Sequence, residues 1–107
     1  MSFSIARVGD RVTVSIEGQL VAGNRAELRQ LVRDQLSSDA KEFVIDFTRA
    51  GYLDSAGLGA LVSASKEVRD DSGRLRLVNL NHDLRQLLEL TRLDSFFGLE
   101  PDGPHAA

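Results

Sequence analysis

The residues that could do chemistry lie in one stretch, where a serine stands between an acid and several small residues. The stretch reads Tyr52-Leu53-Asp54-Ser55-Ala56-Gly57-Leu58-Gly59 and follows an apolar run typical of a central strand. Ser55 stands at the start of a predicted helix, where its hydroxyl could accept a hydrogen bond from a backbone N–H as an N-cap. The same hydroxyl could instead act as a nucleophile or receive a transferred group, and each of those roles needs particular neighbours.

The motifs that would make this stretch an enzyme site are incomplete. A nucleophile elbow needs glycine two residues before the serine, where this chain has Leu53. A dinucleotide-binding G-x-G-x-x-G begins at Gly57 but has Val62 in place of the third glycine. Neither lysine of the chain stands in the Gly-Lys-Ser/Thr sequence of a phosphate-binding loop. We therefore expect neither catalysis nor a bound cofactor.

The remaining polar groups give little support for a metal site or for acid–base chemistry. Asp46 and Asp54 could form a carboxylate pair, but they lack further acids or a basic partner nearby. Asp46 is better interpreted as a loop residue at a strand's end, and Asp54 as a turn former. His82 follows Asn81, a predicted helix N-cap, and is expected to be exposed. Without cysteine, disulfides and sulfur-ligated zinc are excluded, and we expect no metal.

The amino-acid composition of the chain limits the kinds of partner that it can bind. The chain has 107 residues, 42% of them hydrophobic, which is enough for one small domain with its own core. A formal net charge of −3 and the lack of tryptophan argue against nucleic acid or an anionic membrane as a partner. The longest apolar stretch, residues 56–62, is too short to span a membrane, and the first ten residues lack a signal-peptide pattern. We expect a cytoplasmic protein that is monomeric when free.

Hydrophobic periodicity predicts an α/β domain with the order β-β-α-β-α-β-α-β. Strands are predicted at residues 3–7 and 11–17, as an antiparallel edge hairpin, and at 43–47, 75–78 and 96–99. Helices are predicted at residues 25–38, at 55–70 and after Asn81. Because strand–helix–strand units need crossovers, we expect a mostly parallel mixed sheet with helices packed against it. The domain is predicted to cover residues 1–99, with 100–107 as a flexible tail.

A serine at the start of a helix, among small residues, is also easily reached as a substrate by another protein. Phosphorylation adds about 1.5 to 2 negative charges, and the positive end of the helix stabilises them by up to roughly 2 kcal/mol. A docked partner would instead meet a dianion in its contact surface, at a cost on the order of several kcal/mol. Because each step of about 1.4 kcal/mol changes affinity tenfold, one modification could release a complex.

In this strand–helix context the chain resembles the anti-sigma factor antagonists of the STAS domain family. The family signature is Asp-Ser-Ser/Thr-Gly-Leu-Gly at the start of the second helix, and the likeness extends over about residues 3–99. The resemblance implies a single STAS domain in which Ser55 is the phosphoacceptor. It also implies that the surface recognised by partners includes the whole motif, Asp54, Ser55, Ala56, Gly57, Leu58 and Gly59.

Such a resemblance implies regulation by partner switching. The unphosphorylated antagonist binds an anti-sigma factor that is also a serine kinase of the histidine-kinase-like ATPase type, and so frees a sigma factor or another target. The kinase uses ATP to phosphorylate the serine, which breaks the complex, and a PP2C-like phosphatase restores it. The alternative is a STAS scaffold or accessory subunit of a transport or signalling assembly, with no phosphate turnover at Ser55.

Two departures from the family pattern bear on these expectations. Ala56 stands where the family often has a second hydroxyl residue, so Ser55 is the sole acceptor in the motif. After the second strand the family commonly has Gly-Glu-Leu-Asp, in a loop beside the phosphosite, where this chain has Gly18-Gln19-Leu20-Val21. Gln19 and Val21 thus replace two acids of the expected partner-binding surface, which predicts an altered affinity or a different partner.

Overall fold

A four-stranded sheet of order β1-β2-β3-β4 forms the centre of the part of the chain that the computed structural model describes, residues 2–97 and 99. Its strands are β1 (Phe3–Val8), β2 (Arg11–Leu20), β3 (Glu42–Leu53) and β4 (Arg74–Val78). The helices are α1 (Arg25–Ser37), α2 (Ser55–Asp70), α3 (His82–Leu90) and α4 (Leu93–Phe97). β1 pairs antiparallel with β2, and the other two pairings are parallel. The predicted mixed sheet with an N-terminal edge hairpin is therefore confirmed.

The core lies against one face of this sheet. In β2 the side chains alternate as predicted, with Val12, Val14 and Ile16 fully buried. The register places Val14 beside Ile45, and Ile45 beside Leu77, so adjacent strands present one continuous apolar row. The two crossover helices, which contact each other, cover this row. They bury Leu28 and Val32 of α1, and Leu61, Ala64 and Val68 of α2.

The predicted last strand at residues 96–99 is wrong, because residues 93–97 form the short helix α4. The order of elements is therefore β-β-α-β-α-β-α-α. Phe97 is buried in the core, as a strand would also have buried it. Phe96 instead packs beneath Arg69 at the end of α2, whose guanidinium lies 4.3 Å from the ring centroid and donates to the Phe96 carbonyl. Residues 100–107, the predicted tail, lie outside the described residues.

β2 and β3 continue past the end of β4 as a two-stranded arm, made of residues 17–20 and 49–53. The prediction that Gly18, Gln19 and Leu20 form a loop is therefore wrong, as is the loop position expected for Asp46, which lies within β3. Register shifts occur where the arm begins, at Ser15/Glu17, and within it, at Gly18/Gln19, and Gly18 has a φ of 83°. These irregularities break the alternating pattern without ending the pairing, which explains the missed length. The arm leads directly into α2.

At the junction of arm and helix, α2 begins so close to β2 that Gly57 has no room for a side chain. A Cβ atom at Gly57 would lie 2.2 Å from the Leu20 carbonyl oxygen. A Cβ atom at Gly59, half a turn further along, would meet nothing within 4 Å. Gly57 is thus a packing requirement of the crossover, whereas Gly59 is not.

Alanine at these two glycines is expected to change stability in opposite directions. Gly57→Ala should lower the free energy of unfolding by about 1–3 kcal/mol, because the new methyl group is forced against backbone atoms. Gly59→Ala should raise it by up to about 1 kcal/mol, since alanine is the better helix former. Urea denaturation of both variants measures the difference. Equal stabilities would contradict the close approach of α2 to Leu20.

Candidate functional site

Asp54 caps α2, so the expectation that Ser55 is the N-cap is wrong. Asp54 has an extended backbone (φ −96°, ψ 178°), and its Oδ1 accepts a hydrogen bond from the Gly57 N–H at 2.7 Å. Ser55 is the first residue of the helix. Aspartate and serine are both good caps, and a negative side chain also suits the positive end of the helix. The sequence therefore left the position of the cap uncertain by one residue.

The same carboxylate also fixes the connection between β2 and α1. Oδ2 of Asp54 accepts from the Ala22 N–H at 3.1 Å, and the Asp54 N–H donates to the Leu20 carbonyl at 3.3 Å. Asn24 closes the connection from its other side, accepting from the Val21 N–H at 2.8 Å and donating to the Gln19 carbonyl at 2.9 Å. Residues 20–24 are thereby held beside the start of α2.

Asp54 carries a negative charge over the pH range in which proteins usually work. The hydrogen bond from the Gly57 N–H is the main cause that holds the pKa of its carboxyl below the ordinary value. The Ala22 N–H and the positive charge of Arg25 lower this pKa further, against the opposing effect of partial burial. A carboxylate therefore lies immediately before Ser55.

The Ser55 side chain is exposed, and its hydroxyl has no hydrogen-bond partner among the described residues. The rest of the motif divides by face: Gly57 is buried, Ala56 and Leu58 are partly buried, and Gly59 is exposed. Leu58 packs against the core. The inward residues anchor the helix, which leaves the serine hydroxyl accessible to another macromolecule.

The tip of the arm forms the surroundings of Ser55. Gln19 is exposed and pairs in register with Tyr52, whose side chain is 57% exposed. Val21 is partly buried. The structure thus brings Gln19 and Val21 close to the motif, as the resemblance implied, but places Gln19 in a strand. Sequence patterns assign no role to Tyr52, because the exposure of its side chain depends on the register of β2 and β3.

A groove between α1 and α2, which we call the basic groove, lies beside the motif. It is lined by Arg25, Arg29 and Arg33 of α1 and by Gly59 and Ser63 of α2, and its volume is about 360 Å³. Glu67 pairs with Arg29 at 3.4 Å and with Arg33 at 3.1 Å. This groove was not predicted from the sequence, although arginines at every fourth position of a predicted helix were its signal.

The two carboxylates considered as a pair have separate partners. Asp46 accepts from the Thr48 N–H, the Thr48 hydroxyl and the Asn79 amide, whereas Asp54 binds Gly57 and Ala22. Within residues 2–97 and 99, no three acids or histidines come together as metal ligands. His82 is exposed at the start of α3, as expected. Among the described helices, none combines the length and the apolar character needed to cross a bilayer.

Removing the Asp54 carboxylate is expected to destabilise the fold in a pH-dependent way. Because its pKa is lower in the folded than in the unfolded protein, Asp54 stabilises the fold at neutral pH, and this contribution is lost as pH falls through the folded-state pKa. The stability difference between the wild type and Asp54→Ala should therefore shrink below about pH 4. Denaturation curves at pH 7 and at pH 3 measure it.

Asn81→Ala supplies the matched control. Asn81 caps α3 with an uncharged side chain that accepts from the Leu84 N–H at 2.8 Å. Its loss should cost about 1 kcal/mol at both pH values. An Asp54→Ala deficit that is as large at pH 3 as at pH 7 would contradict a charged cap.

Solved structures with the same architecture include two proteins of different kinds. The phosphorylated form of the Bacillus cell fate determinant SpoIIAA aligns with a TM-score of 0.73 at 20% identity, over 92% of this chain and 88% of that one. A sulfate transporter family protein from Wolinella succinogenes aligns with a TM-score of 0.75 at 17% identity, over 86% of this chain and 75% of that one. At such identities the likeness establishes the fold alone.

Similarity in sequence identifies the family, which the likeness to solved structures does not. The anti-sigma-B factor antagonist of Bacillus subtilis is 30% identical over 82 residues, which are 77% of this chain and 74% of that protein. A sequence model described as the STAS domain matches residues 3–105, almost the whole chain. With the fold, the motif and this match in agreement, the chain belongs to the STAS domain family.

Proposed function

We propose that this protein is an anti-sigma factor antagonist, and that phosphorylation of Ser55 switches off its binding to an anti-sigma factor. The observation that carries the proposal is the accessible, unpartnered hydroxyl at the first residue of α2. Relatives with this domain are named as anti-sigma factor antagonists, and the SpoIIAA protein of the same fold exists in a phosphorylated form. We place the exchange in the cytoplasm, where ATP is available.

In this proposal Ser55 is the nucleophile and the partner supplies the catalysis. The Ser55 oxygen attacks the γ-phosphorus of ATP, its proton passes to a base, and ADP leaves. Both oxygens of Asp54 already accept backbone hydrogen bonds, so we assign Asp54 a positioning role and assign the base to the kinase. Ala56 offers no second hydroxyl, which leaves one acceptor in the motif.

The phosphate is tolerated by the domain but not by the complex. The positive end of α2 favours a negative charge at its first residue, and Asp54 keeps its role as cap. At a partner interface the phosphate would instead be forced into the contact surface beside the Asp54 carboxylate. Removing so much charge from water costs on the order of several kcal/mol even where a cation faces it, which is enough to dissociate a complex.

The partners follow from the family and from the surface around Ser55. We propose an anti-sigma factor with serine kinase activity of the histidine-kinase-like ATPase type, and a PP2C-like phosphatase that reverses its action. The docking surface would consist of the motif together with Gln19, Val21 and Tyr52, which lie at the tip of the arm and in the connection beside the start of α2. With Gln19 and Val21 neutral, the partner's facing surface needs fewer cations than a loop with two acids would demand.

Ser55→Ala is expected to abolish phosphorylation and to preserve binding. The experiment mixes the protein with ATP and candidate anti-sigma kinases from the same genome, and maps the phosphate by mass spectrometry. Ser63→Ala, eight residues further along the same helix, is the control and should be phosphorylated like the wild type. Phosphate on another residue, or stable association without any phosphate turnover, would support the scaffold function instead.

The phosphorylated protein should bind the anti-sigma factor much more weakly than the unmodified protein does. A loss of at least about tenfold is expected for Ser55→Glu, with a larger loss for the phosphate, since the carboxylate carries less charge. Isothermal titration calorimetry with the purified partner measures both affinities. Undiminished binding of the phosphorylated form would refute the switch.

Tyr52→Ala is expected to weaken partner binding about tenfold while leaving stability nearly unchanged, because exposed aromatics beside an interface often anchor it. Val8→Ala is the control: Val8 is 80% exposed but lies at the opposite end of the sheet, where it pairs with Arg11. The same calorimetric titration applies. Equal affinities of the two variants would exclude Tyr52 from the docking surface.

A further inference from the structure

Two rows of residues face each other across the basic groove, and Ser55 stands at the end of one of them. Ser55, Gly59 and Ser63 follow at intervals of four along α2, so they share one stripe of the helix. Gly59 and Ser63 line the basic groove together with the three arginines of α1. Residues four apart on a helix have Cβ atoms about 6 Å apart. Ser55 therefore lies one turn before Gly59, just beyond the end of the groove.

The polarity of the two helices decides which arginine is nearest. α1 and α2 are successive crossovers between parallel strands, so both begin at the same edge of the sheet. Arg25 is the first residue of α1 and Ser55 the first of α2. Arg33 pairs with Glu67 at the other end of the groove, in agreement with this alignment. Arg25 is thus the arginine at the Ser55 end.

The three arginines differ in whether their guanidinium groups are already bound to another side chain. Arg29 and Arg33 are both bound to Glu67. The Arg25 guanidinium makes no hydrogen bond and no ion pair with a described residue, although its charge acts on Asp54. Gly59 contributes no side chain to the space between, and even a Cβ atom there would have no contact within 4 Å. An exposed cation and an open space therefore lie beside the serine.

A phosphate on Ser55 creates an electrostatic problem that this arrangement solves. The phosphate brings about two negative charges next to the ionised Asp54 carboxylate, and a helix end offsets only about half a charge. Gln19 and Val21 are neutral in this chain, so they cannot form ion pairs with Arg25 as acids at these positions could. The Arg25 guanidinium has the planar array of donors that phosphate oxygens accept.

We propose that Arg25 is the phosphate-binding residue of the phosphorylated protein, and that its guanidinium hydrogen-bonds to the Ser55 phosphate across the space left by Gly59. This inference rests on the proposed function, because it requires Ser55 to be the modified residue. Phosphorylation then does more than add charge at the docking surface. It draws the Arg25 side chain to the phosphate and withdraws that cation from any partner that approaches α1.

The test needs no kinase, since phosphoserine can be incorporated at position 55 during translation. Titration of the full chain by phosphorus-31 NMR gives the second pKa of the phosphate, which is about 6 without neighbours. In the phosphorylated Arg25→Gln protein we expect this pKa to rise by about half a unit or more relative to phosphorylated wild type, because a nearby cation favours the dianion. Arg33→Gln, on the same face of α1, should leave the titration unchanged.

Identical titration curves for the wild type and Arg25→Gln would overturn the proposal, and so would an equal shift in Arg33→Gln. The unphosphorylated Arg25→Gln protein should keep the wild-type melting temperature, since this guanidinium binds no described residue, and this confirms that the variant folds. Because phosphoserine is incorporated during translation, the result of the NMR titration does not depend on the result of the kinase assay. A kinase that ignores Ser55 would refute the proposed function and leave the Arg25 site to be judged by NMR alone.

Discussion

The position of Ser55 depends on one carboxylate with two sets of partners. Asp54 binds the Gly57 N–H inside α2 and the Ala22 N–H in the connection after β2, while its own N–H donates to the Leu20 carbonyl. Two segments that are distant in sequence, residues 20–22 and 54–57, therefore meet at one residue. Gly57 makes this approach possible, because any larger residue would collide with the Leu20 carbonyl.

Capping by Asp54 also means that the proposed phosphorylation of Ser55 would leave the cap of the helix intact. Had Ser55 been the cap, its oxygen would accept a backbone hydrogen bond, and a kinase would have to break that bond before the hydroxyl could react. With the acid in that role, the hydroxyl is free, and the helix keeps the same cap before and after phosphorylation. The separation of the two tasks onto adjacent residues makes a reversible switch compatible with a constant fold.

Sequence patterns predicted most of the fold because the residues concerned report burial directly. The alternation in β2 follows from burial of one face of the sheet, and the apolar run in β3 from the burial of Phe43, Ile45 and Phe47 on that face together with Val44 on the other. The predictions of secondary structure were wrong where tertiary contacts determine the local conformation. Phe96 and Phe97 suit a strand, but the contact of Phe96 with the Arg69 guanidinium accompanies a helix there. The motif located the site, while the cap, the arm and the basic groove required the packing of α1, α2 and β2 to be known.

The site separates residues that hold the backbone from residues that present charge. Asp54 and Gly57 are constrained by atoms within 3 Å or less, so their identities are fixed by the fold that the family shares. That backbone is not held by the side chains of Gln19, Val21 or Arg25. Residues of a different charge could therefore occupy these positions without moving Ser55. Two neutral residues where the family pattern has acids make the surroundings of this serine less negative than that pattern does. Since like and unlike charges across an interface control which proteins associate, the proposed function assigns the choice of partner to this surface and not to the motif.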